Sequence, residues 1–527
     1  LKKAGFDAIV VTGMASRPVV LCIENGKAEL ISAGDLWGGD TYSTIGELSQ
    51  RGQVLAIGQA GENRVSMAGI AVSKHNFAAR CGLGAVMGSK RLKAITAKGN
   101  GKYQVADIEK MKELRGRLVK KAKSHPFVEF LGNIGTIGAI DGGPDSGDCC
   151  IKNWQVGGGA WPEHKDIFGA TVFKEKYWVS KETCHGCPVA CKQQLDTTNT
   201  PRYKVRGACP EYESASAFGT TLMNSDASSI VKCNELCNRY GLDAISTGTT
   251  IATAIECFEK GYITIQDTNG IELNWGDSDM IIGLIHQIGH RKGFGARLAK
   301  GSYAFVAELE PAAMETLSTV KRLEAPFHEP RLLWGLGLDY ATGIRGACHV
   351  TSTVMMVEFG FVNMPKLHGS REYPPPTKEG KAEMVIRGQD FSSVFHAAAS
   401  YCQFSSLPFN EDDLTETLNA TIGSNFTFDD IMEIGNRIWN LKRTLSNIWG
   451  VRKEDDTLPK RFLTPLKEGP AAGLVPPFAE MIEEYYQIRG LDEYGFLYQD
   501  VLEKSQLPEE LINSANKERG AIAAFAD

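Results

Sequence analysis

The sequence predicts an α+β protein of several domains, a β-sheet body followed by two mainly helical ones. Three observations carry this reading. Residues 1–102 hold short β-branched runs between Gly, Asn and Asp turns. Near residue 105 the texture changes to charged, amphipathic stretches with helical spacing. Pro326 and Pro330 then break the chain ahead of further helical stretches. The bodies drawn from these signals are 1–102, 103–325 and 326–527.

Taken in order, strands are expected at Ala8–Val11, Val19–Ile23, Val54–Gly58 and Lys93–Ala97. A helix is expected from Val105 to Lys123, and the glycine-dense stretch Gly132–Gly159, interleaved with Trp154 and followed by Trp161 and Phe168, reads as long loops over a site. Residues 226–261 predict two helices divided at Gly241, with Asp243 where an N-cap would sit. Met280–Gly289 and Arg297–Leu309 are amphipathic, and 411–495 is helical with Gly and Pro punctuation.

A chain of 527 residues has ample core to enclose a cofactor. Its net charge of −6 offers no basic footprint, which argues against nucleic acid as a partner. No apolar run is long enough to span a bilayer, and no signal-peptide pattern is present. The chain opens Leu1-Lys2-Lys3 without Met and runs at once into a strand-like stretch, so the natural N-terminus is expected further upstream. Thirteen cysteines, an odd number without a small-domain framework, read as thiols kept reduced in a cytoplasm, some of them ligands.

The strongest chemical signal is Cys184-His-Gly-Cys187-Pro-Val-Ala-Cys191. Three thiols at C-x2-C-x3-C spacing can wrap one corner of an iron–sulfur cluster, with Gly and Pro supplying the tight turns. Structural zinc is the alternative, but it usually shows paired knuckles, and the next pair, Cys233 and Cys237, is separated by three residues. A cubane cluster needs a fourth ligand, and the last cysteine after Cys348 is Cys402. Downstream of the array, Glu211 and Glu213 flank Tyr212, and the small and apolar residues that follow predict that one carboxylate points inward as a general-base candidate. The run Arg80-Cys81-Gly82-Leu83-Gly84-Ala85 through Lys90 is a tight turn or a phosphate-contacting loop, and its Ser89-Lys90 order is not that of a Walker loop. His349 is delivered by a Gly-rich turn into an apolar setting, where most histidines are satisfied core residues.

Together, Gly-Leu-Gly-Ala-Val-Met-Gly-Ser-Lys, the cysteine array, Pro-Glu-Tyr-Glu, Cys-Asn-Arg-Tyr-Gly-Leu-Asp and Arg-Gly-Ala-Cys-His resemble the tungsten-containing aldehyde:ferredoxin oxidoreductase family. The five stand in the family's order and cover residues 1 to about 410. The resemblance implies a β base that cradles tungsten bound by two pterins, with molybdenum as the other metal choice, and two helical domains over a channel. It implies a [4Fe–4S] cluster on Cys184, Cys187, Cys191 and Cys402. Arg80, Cys81, Gly82, Gly84 and Ala85 resemble the loop touching pterin phosphates and their bridging magnesium, and Asn238, Gly241, Leu242 and Asp243 resemble a pterin-binding motif. Glu213 and His349 resemble the catalytic pair beside the metal. The implied activity is oxidation of a small aldehyde, with ferredoxin or an iron–sulfur partner subunit as acceptor, in a homo-oligomer. The resemblance also implies that the chain starts roughly a hundred residues inside the family's first domain, of which residues 1–102 are the remainder.

Three positions depart from that pattern. Asn238 stands where the motif has Asp, Cys81 stands where a small non-thiol residue is expected, and the second pterin motif reads Ala397-Ala-Ala-Ser-Tyr-Cys402, keeping only its cysteine. Two alternatives follow: the tungsten subunit of a benzoyl-coenzyme-A-reductase-like or carboxylate-reducing complex, and a non-catalytic iron–sulfur protein. Pro-Glu-Tyr-Glu and Arg-Gly-Ala-Cys-His favour aldehyde chemistry, which needs both an acid and a base.

Overall fold

Alternating small and β-branched residues build one sheet from the first hundred residues. The computed structural model describes residues 1–161, 163–362, 364–369 and 371–526. Strands β1 (Val19–Glu24), β2 (Lys27–Ser32), β3 (Gln53–Ala56), β4 (Ile70–Ala71), β5 (Phe77–Ala78) and β6 (Leu92–Lys98) lie in the order β2-β1-β6-β3-β4-β5. β1 runs parallel to β6, and the other pairings are antiparallel. Period-two alternation gives the sheet two apolar faces. Val20, Val54, Ala56 and Ala94 pack on Leu48, while Val19, Leu21 and Ile95 pack with Met87 of helix α1 (Leu83–Ser89).

The expected strand Ala8–Val11 does not form, and Val10 is 86% exposed. Both edges of β1 are taken by β2 and β6, so the run that precedes it cannot pair with the strand it leads into. Helix α1 sits close on the chain beneath it because Gly84 has no side chain. A Cβ there would lie 2.3 Å from the Gly69 carbonyl oxygen.

Helix α2 (Ile108–Lys123) forms as expected, with the Asp107 side chain accepting from the Lys110 N–H. The glycine-dense stretch is more ordered than its composition suggests. Pro126 at the first helical position starts α3 (Pro126–Ile134), and α4 (Ala139–Ser146) follows, leaving loop mainly after Gly147. The glycines of α4 serve close packing, since a Cβ on Gly143 would come 3.0 Å from Cys149 Cβ. Strands β7 (Trp178–Glu182), β8 (Lys192–Asp196) and β9 (Arg206–Ala208) form a small antiparallel sheet. Then come α5 (Tyr212–Phe218), α6 (Ala227–Tyr240) and α7 (Ala244–Glu259), the last two divided at Gly241 with φ 72°, as expected.

Helix α8 (Ser278–His290) forms, but the helix expected over Arg297–Leu309 is two short turns, Gly295–Leu298 and Ser302–Val306, parted at Gly301 with φ 86°. A hairpin of β10 (Thr319–Val320) and β11 (Leu323–Glu324) precedes α9 (Trp334–Thr342). Helix α10 (Lys381–Ser392) runs into a π-helical turn, Ser393–Ala398, just before Cys402. The tail contains α11 (Glu411–Ile422), α12 (Phe428–Ile448) and α13 (Phe478–Arg489). One buried apolar cluster joins Ala60, Phe218, Ile255, Phe327, Phe395 and Phe462, so all three stretches contribute to a common core. No helix among the described residues is long and apolar enough to cross a membrane.

Candidate active site

A cavity of about 1080 Å³ lies where the loop after β5, the turn between α6 and α7, the start of α5 and the loop carrying His349 converge. Arg80 joins these elements. Its Nε donates to Asp243 Oδ2 at 3.3 Å, its Nη1 donates to the Ala347 carbonyl at 2.8 Å, and its Nη2 donates to the Glu324 carbonyl. The turn is bound to the sheet body as well, through Gly69 N–H to Gly241 O at 2.8 Å and Asp243 N–H to Met67 O at 2.9 Å.

Asp243 caps α7, accepting from the Ile245 and Ser246 N–H groups and from Ser246 Oγ at 2.7 Å. It is 3% exposed and lines the cavity, as do Asn238 and Leu242, so one residue serves as N-cap and as wall. Gly241 stands behind this wall as the left-handed cap of α6. Of the loop from Arg80 to Ala85, Arg80 reaches the cavity. Cys81 is exposed with φ 70°, Gly82 and Gly84 pack on the carbonyls of Ser66 and Gly69, and Ala85 packs on the core.

The cysteine array occupies the connection between β7 and β8. Cys187 N–H donates to Cys184 O at 3.0 Å, and Thr183 Oγ1 donates to both Cys184 O and Cys187 O, which closes the turn. Cys191 lines the cavity, Cys187 is half-buried, and Cys184 and Cys402 are exposed. Burial pushes the Cys191 thiol up to about 12, and negative charge at Glu211, Cys402 and Cys187 adds to this, so Cys187 and Cys402 lie within electrostatic reach of it. Phe127 and Phe404 pack on Cys187 and Cys191 and keep this corner apolar.

Glu213, on the first turn of α5, lines the cavity, as does Glu211 just ahead of that helix. Its Oε2 accepts the Phe327 N–H at 3.0 Å, while Oε1 lies 3.5 Å from His349 Nδ1. Both Oε1 and that Nδ1 are buried atoms without a hydrogen-bond partner. Native interiors rarely leave such atoms unpaired unless a bound group completes them. Burial raises the Glu213 pKa, opposed by the charges of His328 and Arg80 and by the Phe327 N–H. Burial, with the positive charges of His328, Arg80 and Arg345, holds His349 well below the ordinary histidine value, so it stands neutral. Glu211 accepts instead from Thr136 Oγ1.

Two residues absent from the motifs complete this corner. His328 lies between Asp148 and Glu213, and Glu213, His328 and His349 bring their ligand-type atoms within 4.8 Å of one another. The sequence signal for His328 is slight, one histidine between Pro326 and Pro330.

The donor set fits a pterin-bound metal and a cluster. Carboxylate and amide side chains face the cavity at Asp243 and Asn238, thiols stand at one edge, and unpaired acid and base atoms stand at another.

Comparison with known proteins agrees. The family model for aldehyde ferredoxin oxidoreductase domains 2 and 3 matches residues 113–507, and that for the N-terminal domain matches residues 1–99. The N-terminal domain's pattern is thus present from residue 1, which corrects that part of the expectation. The tungsten-containing aldehyde ferredoxin oxidoreductase of Pyrococcus furiosus is 36% identical over 97% of this chain and 83% of its own length. That of Thermococcus kodakarensis is 35% identical over the same shares. The WOR-like subunit of the aliphatic sulfonate oxidoreductase of P. furiosus is 31% identical over 96% of this chain and 81% of its own. A solved structure, the active site complex BamBC of benzoyl coenzyme A reductase with 1,5-dienoyl-CoA, has a TM-score of 0.81 at 22% identity, covering 99% and 84% of the two chains, and shares the fold. With both family models matching nearly end to end, this chain belongs to the aldehyde ferredoxin oxidoreductase family.

Proposed function

We propose that this oxidoreductase turns R-CHO and water into R-COOH, two electrons and two protons, and that the electrons leave through a [4Fe–4S] cluster to ferredoxin or an iron–sulfur partner subunit. The bound tungsten–pterin group supplies the two-electron acceptor. The observation that carries this reading is the unpaired Glu213 Oε1 facing the unpaired His349 Nδ1 at 3.5 Å inside the cavity.

Oxidation of an aldehyde makes two separate demands. An oxygen nucleophile must lose a proton, and negative charge grows on the carbonyl oxygen. Glu213 meets the first by accepting the proton at Oε1, its Oε2 being held by Phe327 N–H. His349, neutral, keeps one ring N–H to donate to the carbonyl oxygen. Asp243 and Asn238 would hold pterin donors, the loop that begins at Arg80 would meet the pterin phosphates, and Cys184, Cys187, Cys191 and Cys402 would hold the cluster.

The rest of the wall selects apolar aldehydes. Phe130, Ile134, Phe359 and Phe361 line it, and its cationic side chains are already engaged. Arg80 serves Asp243 and two carbonyls, and Lys192 serves His75 O and Asn76. A phosphorylated or carboxylated aldehyde would therefore lose hydration without gaining a free cation.

The test is metal and pterin analysis of anaerobically purified enzyme with an aldehyde panel. The reading expects about one tungsten to four iron, and turnover of aryl and alkyl aldehydes well above that of a phosphorylated hydroxyaldehyde. Iron without tungsten, molybdenum or pterin would replace it with an electron-transfer role.

A further inference from the structure

His328 is clamped between two carboxylates deep in the cavity. Its Nδ1 lies 2.6 Å from Asp148 Oδ2 and its Nε2 lies 3.6 Å from Glu213 Oε1. Asp148 is held in turn by the Glu329 N–H, which donates to its Oδ1 at 2.7 Å. The ring is stacked on Tyr212 with centroids 4.6 Å apart and planes at 24°. Tyr212 is itself fixed by donating to the Phe327 carbonyl at 2.9 Å. Both His328 and Asp148 are buried, at 7% and 6% exposure. The imidazole is thus held on its face and on one edge, and the edge left open is the one facing the presumed base.

We propose that Asp148 and His328 are positioning residues that keep Glu213 ionised, and therefore basic, inside a desolvated cavity. The proposal rests on the reading of Glu213 as proton acceptor. A carboxylate taken from water into apolar surroundings gains a proton and ceases to be a base. An imidazolium 3.6 Å away opposes that drift through its charge, but burial strips an imidazolium of its own proton unless an anion holds it. Asp148 is that anion. The directions agree: burial works against charged His328, yet Asp148's charge and hydrogen bond, with Glu213, hold its pKa above the ordinary value, while His328's charge draws Glu213 down against burial and Asp148's charge, which together leave Glu213 raised.

The other groups facing the pair do not substitute for it. His349, with its ring 5.4 Å from that of His328, is neutral, and Tyr212 is a phenol held uncharged by burial. The carboxylate of Glu329 turns away to Arg331 at 2.7 Å. Arg80 adds positive charge near Glu213, but its hydrogen bonds go to Asp243, Ala347 and Glu324. When Glu213 takes up a proton it loses its attraction for His328, whereas Asp148 keeps the ring in place.

The test uses loaded holoenzyme and titrates the buried carboxyl by infrared difference spectroscopy, its band assigned by its loss in Glu213→Gln. In His328→Gln the carboxyl midpoint should move up by about one pH unit or more. The acid limb of the kcat/KM profile should move with it, and activity should recover on the alkaline side. Asp148→Asn, which preserves shape, should let His328 lose its proton and give a smaller shift of the same sign, reduced because Asp148's own charge also raises Glu213, and it supplies the test if His328→Gln misfolds. A purely structural role would lower the rate equally at every pH and leave the midpoint unmoved, which would overturn the proposal. Retained turnover in Glu213→Gln would instead defeat the base reading alone, because the infrared shift is read without turnover.

Discussion

Arg80 and Asp243 meet at 3.3 Å with side chains 9% and 4% exposed, joining the loop after β5 to the cap of α7. Removing one partner of a buried pair leaves the other charge uncompensated in a dry site, typically at a cost of about 3–5 kcal/mol. Arg80→Met would in addition leave the Glu324 and Ala347 carbonyls without this donor. The expected outcome is a fall of about 3 kcal/mol in unfolding free energy and a lower pterin content. Chemical denaturation and pterin assay check both.

Cys402 lies within electrostatic reach of Cys191 although the motif around it is degenerate. Cys402→Ser should lose most of the iron and its cluster spectrum. Cys209→Ser supplies the contrast, since Cys209 also lines the cavity but stands outside the array, half-buried, with desolvation pushing its thiol well above the ordinary value. That variant should keep its iron, as measured by iron analysis and electron paramagnetic resonance.

Stability should fall as the pH drops below neutrality. Burial, with Arg387 nearby, holds His368 at about 4, and burial holds His396 at about 4. These folded values lie below that of an unfolded histidine, so the unfolded chain binds more protons between about pH 6.5 and 4, and stability rises with pH across that window. Each group should contribute on the order of a few kcal/mol, fully lost below about pH 4. Urea unfolding at pH 7 and pH 5 checks the sign, and His396→Gln should flatten the difference.

What was legible in the sequence was what is local. The array Cys184–Cys191 is a set of ligands close together along the chain, the strands β1, β3 and β6 announce themselves by β-branched runs, and Gly241 with Asp243 is a cap that any helix pair would show. The glycines of α4 pointed to loop because composition carries no record of close packing on Cys149. The strand expected at Ala8–Val11 has the right residues but joins no strand of the sheet, β1 being paired on both sides, and pairing is a property of the sheet and not of the run. Asp148 and His328 stand 180 residues apart, and neither lies in a motif, so their contact exists only once the fold is made.

The central claim is that Glu213 is the base of aldehyde oxidation, and Glu213→Gln tests it most directly. The amide keeps the side chain's size and can still face His349 across the 3.5 Å gap, but it cannot accept a proton at neutral pH. Tungsten, pterin and iron content should match wild type. Aldehyde-dependent reduction of ferredoxin should fall by on the order of 10²-fold or more, the range typical of lost general-base catalysis. A loaded Glu213→Gln enzyme that turns over aldehyde at a near wild-type rate would contradict the account.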